Sequence, residues 1–324
     1  MRIDRIVGRF ALACAMSAPA VALHAQSYPA RPIRLIVPYP PGAGTDIIAR
    51  TVGQKLGEVL GQQIVVDNRG GGGGVIGADA GAKAPPDGYT MVLVTSTFAM
   101  TPALQKPPYD PVRDFTPLIL LAAVPNILVI HPALPAHSLQ ELIALARARP
   151  GELSYATSGT GTVSHLLTEW LCSMVGGVKL VHVPYKGNAQ ALTDLLGGHV
   201  SIMFSALPSA MPHLVSGRVR PIAITSRARS AAVPQVPTFI ESGLPEFVFS
   251  SEFGLLMPAR TPRDIVARLN REIVKILRLP DVRERLAAQG AEPVGNTPDE
   301  YAASLKADLA RWAKVVVTAG IRAD

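Results

Sequence analysis

The sequence predicts an α/β protein whose two halves face one ligand cleft, and three observations carry that reading. Short apolar runs alternate with helical stretches along nearly the whole chain, the pattern of parallel sheets covered by helices on both faces. A strand, a glycine-rich turn and a helix occur together twice, in LIVPYPPGAGTDII and in LSYATSGTGTVSHLL. At 324 residues the chain also has the length for two α/β domains or one large one. In open α/β sheets ligands sit beyond the carboxyl ends of strands, where helix N-termini converge. A repeated turn therefore puts one ligand-facing corner in each half.

Taken in order, Ile33 to Val37 reads as a strand and Asp46 to Leu60 as a helix, with Ile48, Val52, Leu56 and Val59 on one face. Ile64 to Val66 and Tyr89 to Thr95 read as further strands, with a helix from Val75 to Lys83 between them. A proline-rich connection spans Pro102 to Pro117. Then come a strand at Ile127 to Ile130, a helix from Ser138 to Arg149 and a strand at Leu153 to Ala156. The next helix has the clearest stripe: Val163, Leu166, Leu167, Trp170, Leu171 and Met174 repeat at helical spacing. Val181, Ala189 to Leu196 and Val200 to Phe204 continue strand, helix, strand. Thr261 and Pro262 read as an N-cap and a first helical residue before Ile265, Leu269, Ile273 and Ile276. A last helix carries Tyr301, Leu305, Leu309, Trp312 and Val316.

The first residues carry an address. Arg2, Arg5 and Arg9 precede an apolar stretch from Phe10 to Leu23 and a small-residue site ending at Ala25. That is the layout of a secretory signal peptide over residues 1–25, and export to the periplasm is expected. The apolar stretch is shorter than the roughly 20 residues of a spanning helix, and a lipoprotein signal around Cys14 has little apolar chain before it. No membrane insertion of the mature chain is expected. Loss of the leader lowers the formal charge from +7 to about +5, and no dense basic run suggests nucleic acid. Cys172 is then the only cysteine. It lies in an apolar helical pattern, which reads as a buried, inert thiol.

Four kinds of chemistry could use the two glycine turns. A dinucleotide site has a partial motif in Gly42-Ala43-Gly44 with Asp67 at the spacing of a ribose-binding acid. Ile47 holds the third glycine position, however, and Pro40-Pro41 stiffens the turn. A serine hydrolase lacks its nucleophile elbow, and Ser164 and His165 are helix neighbours that do not face each other. The six histidines after the leader are scattered without metal-ligand spacing, so neither metal nor cofactor is expected. His165 lies opposite the apolar stripe and should face solvent or the cleft. Anion capture without chemistry remains: helix N-termini hold carboxylates and phosphates, with Thr45 and Thr162 as caps and glycines admitting the ligand to the backbone. An exported enzyme of the same shape stays open through His165 and Asp46, which could act as acid and base if they met.

These residues resemble the periplasmic substrate-binding proteins of tripartite tricarboxylate transport, the Bug-type or TctC-like family. The resemblance runs from Tyr28 to Ile321 and rests on YPARPIRLIVPYPPGAGTDIIAR, VVDNRGGGGGVIGA, PPDGYTMVL, LSYATSGTGTVSHLL, VPYKGNAQALTDLLGGHV, VPTFIESGLP and YAASLKADLARWAKVVVTAGI. It implies a two-lobed clamshell of the Venus-flytrap, type II-like kind with the ligand cleft between lobes. Lobe one would comprise residues 26–123 and 226–324, and lobe two residues 124–225. It implies a small carboxylate ligand, delivered to the membrane subunits of a transporter; a soluble sensor serving a receptor is the alternative. The implied ligand contacts are Tyr39, Ala43, Gly44, Thr45, Asp46, Ser96 and Thr97 in one lobe. In the other they are Thr157, Ser158, Gly159, Thr160, Gly161, Thr162 and His165, with Tyr185 and Lys186 nearby. Gly70 to Gly74 are expected to shape a turn.

The chain departs from the family pattern in several places. The first turn has Gly42-Ala43-Gly44 where paired glycines are usual, Ser201 and Ser205 stand where an aspartate is frequent, and Glu252 where an aromatic residue is common. Glu252 is expected either to pair with a cationic or donor group on the ligand or to point to solvent at the hinge.

Overall fold

The computed structural model describes residues 28–39, 41–42 and 44–321. The expected leader and its cleavage site lie outside the described residues. Apolar run and burial agree at the start: Ile33–Val37 forms β1, with four of its five side chains buried, and a strand so buried belongs inside a sheet. β1 pairs in parallel with β2 (Ile64–Asn68) on one side and β3 (Thr90–Thr95) on the other. Helix α1 (Gly44–Leu60) crosses between β1 and β2, burying Ile48, Val52, Leu56 and Leu60. Val59, expected on that face, is 53% exposed; the helix turns it outward and Leu60 takes the inner position. Helix α2 (Val75–Ala82) crosses between β2 and β3.

The proline-rich connection is shorter than the sequence suggests. Its first residues belong to α3 (Thr97–Leu104), which carries Pro102 inside it, and its last to β4 (Phe115–Ile130). β4 is one 16-residue strand running through Pro117 and Pro125. Its register shifts between Pro117 and Ile119, which absorbs one proline in the ladder. The second half follows with α4 (Leu139–Ala148), β5 (Ser154–Thr157), α5 (Val163–Met174), β6 (Val181–Pro184), α6 (Asn188–Leu196), β7 (Ile202–Ala206), α7 (Leu207–Val215) and β8 (Arg220–Ile224). The chain then returns through β9 (Ser250–Pro258), α8 (Arg263–Leu277), α9 (Pro280–Ala288), β10 (Glu292–Pro293) and α10 (Pro298–Ala319). At α8 the N-cap is Pro262, one residue later than expected, because the Thr261 hydroxyl donates back to the Pro258 carbonyl.

The strand order is β2-β1-β3-β9-β4-β7-β5-β6, with β8 and β10 each pairing β4. The sheet is not parallel throughout. β1, β2 and β3 form one parallel group and β5, β6 and β7 another, joined by antiparallel β9 and β4. β4 is shared: its first part pairs β9 and β10, its last five residues pair β7 and β8. Two α/β halves thus hang on two long strands.

Three apolar clusters fill the layers around this sheet. One joins β1, α1, α8 and α9; one lies under α6 and α7; the third runs beneath α3, α5 and α10. Residues 226–249 pack on the second half, where Thr238 bridges Ile224 and Phe239 and Phe247 stack on Phe204. Helix α10 straddles both halves. Its capping box, Thr297 with Glu300, fixes the start, and fully buried Trp312 meets Trp170 of α5 and Phe249 edge-on. No helix among the described residues is long and apolar enough to cross a membrane.

Candidate functional site

The first turn joins β1 to α1. Gly42 enters it at φ 81°, a left-handed conformation that favours glycine. Ala43, expected to touch ligand, lies outside the described residues, as does Pro40. Asp46 is 3% exposed and spends its carboxylate inside the protein. It accepts from the Gly42 N–H at 2.9 Å, Arg50 Nε at 2.9 Å and Asn68 Nδ2 at 3.0 Å, while that same Asn68 nitrogen donates to the Tyr39 carbonyl at 3.0 Å. Burial alone would raise its pKa; the bonds from Arg50, Gly42 and Asn68 outweigh burial and hold it below the ordinary carboxylate value. Asp46 is a splint for the turn. Asp67, the would-be ribose acid, is likewise taken, by Arg34 and by Arg69 at 3.0 Å.

Tyr39, Thr95 and Thr97 close a triangle of hydroxyls. Tyr39 Oη stands 2.6 Å from Thr95 Oγ1 and 2.9 Å from Thr97 Oγ1, and the two threonine oxygens are 2.8 Å apart. This triangle ties the first turn to the end of β3. Behind it runs the glycine stretch: Gly71 to Gly74 all have positive φ, and a β-carbon on Gly74 would stand 3.3 Å from the Tyr39 hydroxyl. Beside it, Ser96 Oγ accepts the Glu252 N–H at 2.8 Å, linking the β3–α3 turn to β9.

Thr45 is the exception to all this pairing. It is 9% exposed, in the first turn of a 17-residue helix, and its buried hydroxyl has no hydrogen-bond partner among the described residues. The hydroxyl is therefore not the expected cap. An unsatisfied buried hydroxyl costs about 1–3 kcal/mol. Around it are the first-turn N–H groups, which no α-helix satisfies internally, and the positive end of the helix dipole. The corner offers donors to an anion and little else.

The second turn joins β5 to α5 and is knitted differently. The Ser158 N–H donates to Ser164 Oγ at 3.0 Å, Gly159 N–H to Thr157 Oγ1 at 3.3 Å, Gly161 N–H to His165 Nδ1 at 3.0 Å and Thr162 N–H to the Gly159 carbonyl at 3.3 Å. Thr162 is the N-cap residue by position, yet its hydroxyl donates to Gly159 O at 2.7 Å instead of capping. Thr160 is exposed at the tip. His165 is buried, 7% exposed, and does not reach solvent. Its ring lies over His182 at 4.1 Å and 5°, and His182 in turn lies over Tyr155 at 4.9 Å. His182 Nε2 meets Thr157 Oγ1 at 2.7 Å, and the Tyr155 hydroxyl donates to Glu169. Sequence reasoning missed Ser164 and His182 as parts of this turn. Ser164, two residues into the helix, and His165, four residues after Gly161, both stand where side chains reach back to turn amides.

The remaining expected residues flank this turn. Tyr185 donates its N–H to the Thr157 carbonyl at 3.0 Å and its hydroxyl to Asp194 at 2.6 Å; burial and Asp194 push its pKa up to about 12. Lys186 is exposed beside it. Ser205, at the end of β7, is 2% exposed and donates to the Ala206 carbonyl at 3.3 Å. Glu252 is half-buried and faces α10, where Asp308 and Arg311 form an ion pair at 3.1 Å. Burial first, then Asp308, push its pKa up to about 7 against the opposing pull of Arg311. It does not point to solvent. Cys172 is buried as expected, its thiol pushed up to about 12 by burial and Glu169. His165 and Asp46 belong to different turns, and each is engaged within its own.

The two halves approach each other at these corners. A β-carbon on Gly161 would stand 2.9 Å from Leu104 of α3, and one on Gly290 would collide with the ring of Pro208 in α7. No group of three or more His, Cys, Asp or Glu among the described residues is placed to hold a metal ion.

Residues 48–321 match the model of the tripartite tricarboxylate transporter family receptor, TctC. The chain belongs to this family. Protein BugT of Bordetella pertussis is 42% identical over 99% of this chain and 98% of its own. Among solved structures, R. palustris Rpa4515 with adipate is 40% identical, with a TM-score of 0.77 over 92% of this chain and 100% of that one. The periplasmic binding protein BugD is 34% identical, with a TM-score of 0.74 over the same shares. TctC receptors are periplasmic solute-binding proteins, so this chain is a binding protein and not an enzyme, and its two halves are the lobes of a periplasmic-binding-protein clamshell.

Proposed function

We propose that this TctC receptor is exported by its N-terminal leader, captures a small carboxylate between its lobes and presents the closed complex to the membrane subunits of a tripartite transporter. The observation that supports the carboxylate is the first corner: a helix N-terminus with an unpaired, buried Thr45 hydroxyl beside it. The adipate held by Rpa4515, 40% identical and of the same fold, supports the same ligand class. Gly44, Thr45, Ala43 and the Tyr39–Thr97–Ser96 edge form the anion side of the proposed site. Thr157, Ser158, Gly159, Thr160, Gly161 and Thr162 form the facing wall, held in shape by His165 and flanked by Tyr185, Lys186 and Ser205. Asp46 and Glu252 act from behind it, on the turn and on the hinge.

For the lobes, we place residues 226–249 with lobe two, on the contacts of Thr238, Phe239 and Phe247. The return to lobe one then falls at β9. Closure is a rotation about β4 and β9, which cross between lobes side by side. Thermal unfolding against a panel of carboxylates, amines, sugars and NAD tests the reading. A carboxylate at 100 times its dissociation constant stabilises the fold by about 2.7 kcal/mol, a shift of a few degrees. A shift with another class and none with any carboxylate overturns it.

A further inference from the structure

Two glycines stand where the lobes come closest. Gly161, at the tip of the β5–α5 turn, faces Leu104 of α3, and Gly290, just after α9, faces Pro208 in the first turn of α7. Both have positive φ, 75° and 63°, and at both a side chain would fall between the lobes. The contacts differ in stiffness. A β-carbon on Gly161 would stand 2.9 Å from Cδ1 of Leu104, the free end of a side chain that can change rotamer. One on Gly290 would stand 1.8 Å from Cγ of Pro208 and 2.9 Å from its Cβ and Cδ, atoms of a ring closed onto the backbone. That ring cannot turn aside, so Gly290 against Pro208 is the stiffer contact.

Its position gives it leverage. Gly290 follows Gln289, whose Oε1 is 3.6 Å from where a β-carbon of Gly44 would stand at the first corner. Pro208 lies just beyond Ser205 and the end of β7. The contact therefore sits on the cleft side of the crossing strands. Pro125 of β4 lines the space next to it, so the arm to the hinge is short and a small separation here becomes a larger one at the turn tips. Beside the contact the two helices stand apart: Leu207 and Met211 of α7 face Ala287 and Ala288 of α9 across a cavity of about 420 Å³. Packing between those side chains does not set the approach; the ring on the glycine does.

We infer that the Pro208 ring seated on Gly290 is the stop that sets how far the two lobes close, which makes both positioning residues for the cleft. This stop presupposes the hinged closure proposed above and adds where that closure ends. Moving a β-carbon at position 290 from 1.8 Å out to van der Waals distance needs about 2 Å of separation at the contact. Pulsed electron resonance on the purified protein tests the stop, with nitroxides on Val59→Cys of α1 and Val215→Cys of α7, both exposed, while buried Cys172 stays unlabelled. Distances are recorded without ligand and with excess adipate, the acid held by Rpa4515. Gly290→Asn suits the test because asparagine tolerates a left-handed backbone. It should abolish the shortest distance that wild type populates and lengthen it by more than the ~2 Å wedge, owing to the lever. Pro208→Ala, which leaves position 290 untouched, should shorten it, and the double variant should return it towards wild type. Gly320→Asn, at φ 64° with open space around it, should change nothing. An unchanged shortest distance in both single variants overturns the stop. So does a lengthening in Gly290→Asn that Pro208→Ala does not reverse, since backbone strain and not the ring would then be its cause. Carboxylate capture is read by the thermal panel above and stands or falls separately.

Discussion

The imidazole of His165 accepts the Gly161 N–H through Nδ1 at 3.0 Å while its ring lies 4.1 Å over that of His182. One side chain thus holds the tip of the β5–α5 turn and anchors it to β6. The acceptor role puts the ring proton on Nε2.

Replacing His165 by Phe keeps the stack and deletes the acceptor. The Gly161 N–H then loses its partner, which should cost about 1–3 kcal/mol and lower the unfolding midpoint by a few degrees. His165→Gln, which restores an acceptor, should recover part of that loss. Equal midpoints for the two variants would assign His165 to packing alone.

Asp46 holds the opposite corner. Asp46→Ala frees the Gly42 N–H and the Asn68 amide together, and should destabilise the protein by about 2–3 kcal/mol. Its pH dependence has a fixed sign. A carboxyl held below its unfolded value of 3.8 contributes stability above that pH and loses it as pH falls through the folded value. The stability gap between wild type and Asp46→Asn, followed by denaturant titration, should therefore be full at neutral pH and close in acid below 3.8.

Much of this arrangement is legible in the chain because local patterns set it. The β1–turn–α1 unit, the α5 stripe and the two glycine turns are each specified within a dozen neighbouring residues, and the structure places them as the sequence predicts. The centre of the sheet is not legible in that way. β4 runs through Pro117 and Pro125, which read locally as breakers, and β9 opens with Ser250, Ser251 and Glu252, which read as loop. Both are strands because each satisfies the other's ladder across more than a hundred residues of chain, a tertiary fact with no local signature. The same holds for Glu252, whose surroundings come from α10.

Thr45 separates binding from folding. Thr45→Val removes an unpaired buried hydroxyl, so the free protein should be as stable as wild type or slightly more so. If that hydroxyl meets the ligand's carboxylate, affinity should fall about fivefold to tenfold. Calorimetry and thermal unfolding on the same variant read the two effects apart. Unchanged affinity would move the carboxylate away from the first turn of α1.

Glu252, on β9 against α10, should make stability sensitive to pH. Its pKa rises from 4.5 to about 7 through burial and the neighbouring Asp308, so the folded protein holds this proton more tightly than the unfolded chain. Stability on its account is then highest below pH 4.5 and falls as pH rises towards 7, by up to roughly 3 kcal/mol. Glu252→Gln keeps the shape and removes the titration. The variant should match wild type in acid and exceed it in stability at pH 8, with a shallower slope between. Some slope should persist, because Asp308 is also raised by burial and remains in place. Midpoints measured across that range decide the matter: parallel curves for the two proteins would mean that the carboxyl of Glu252 is solvated in solution and carries no charge penalty at the hinge.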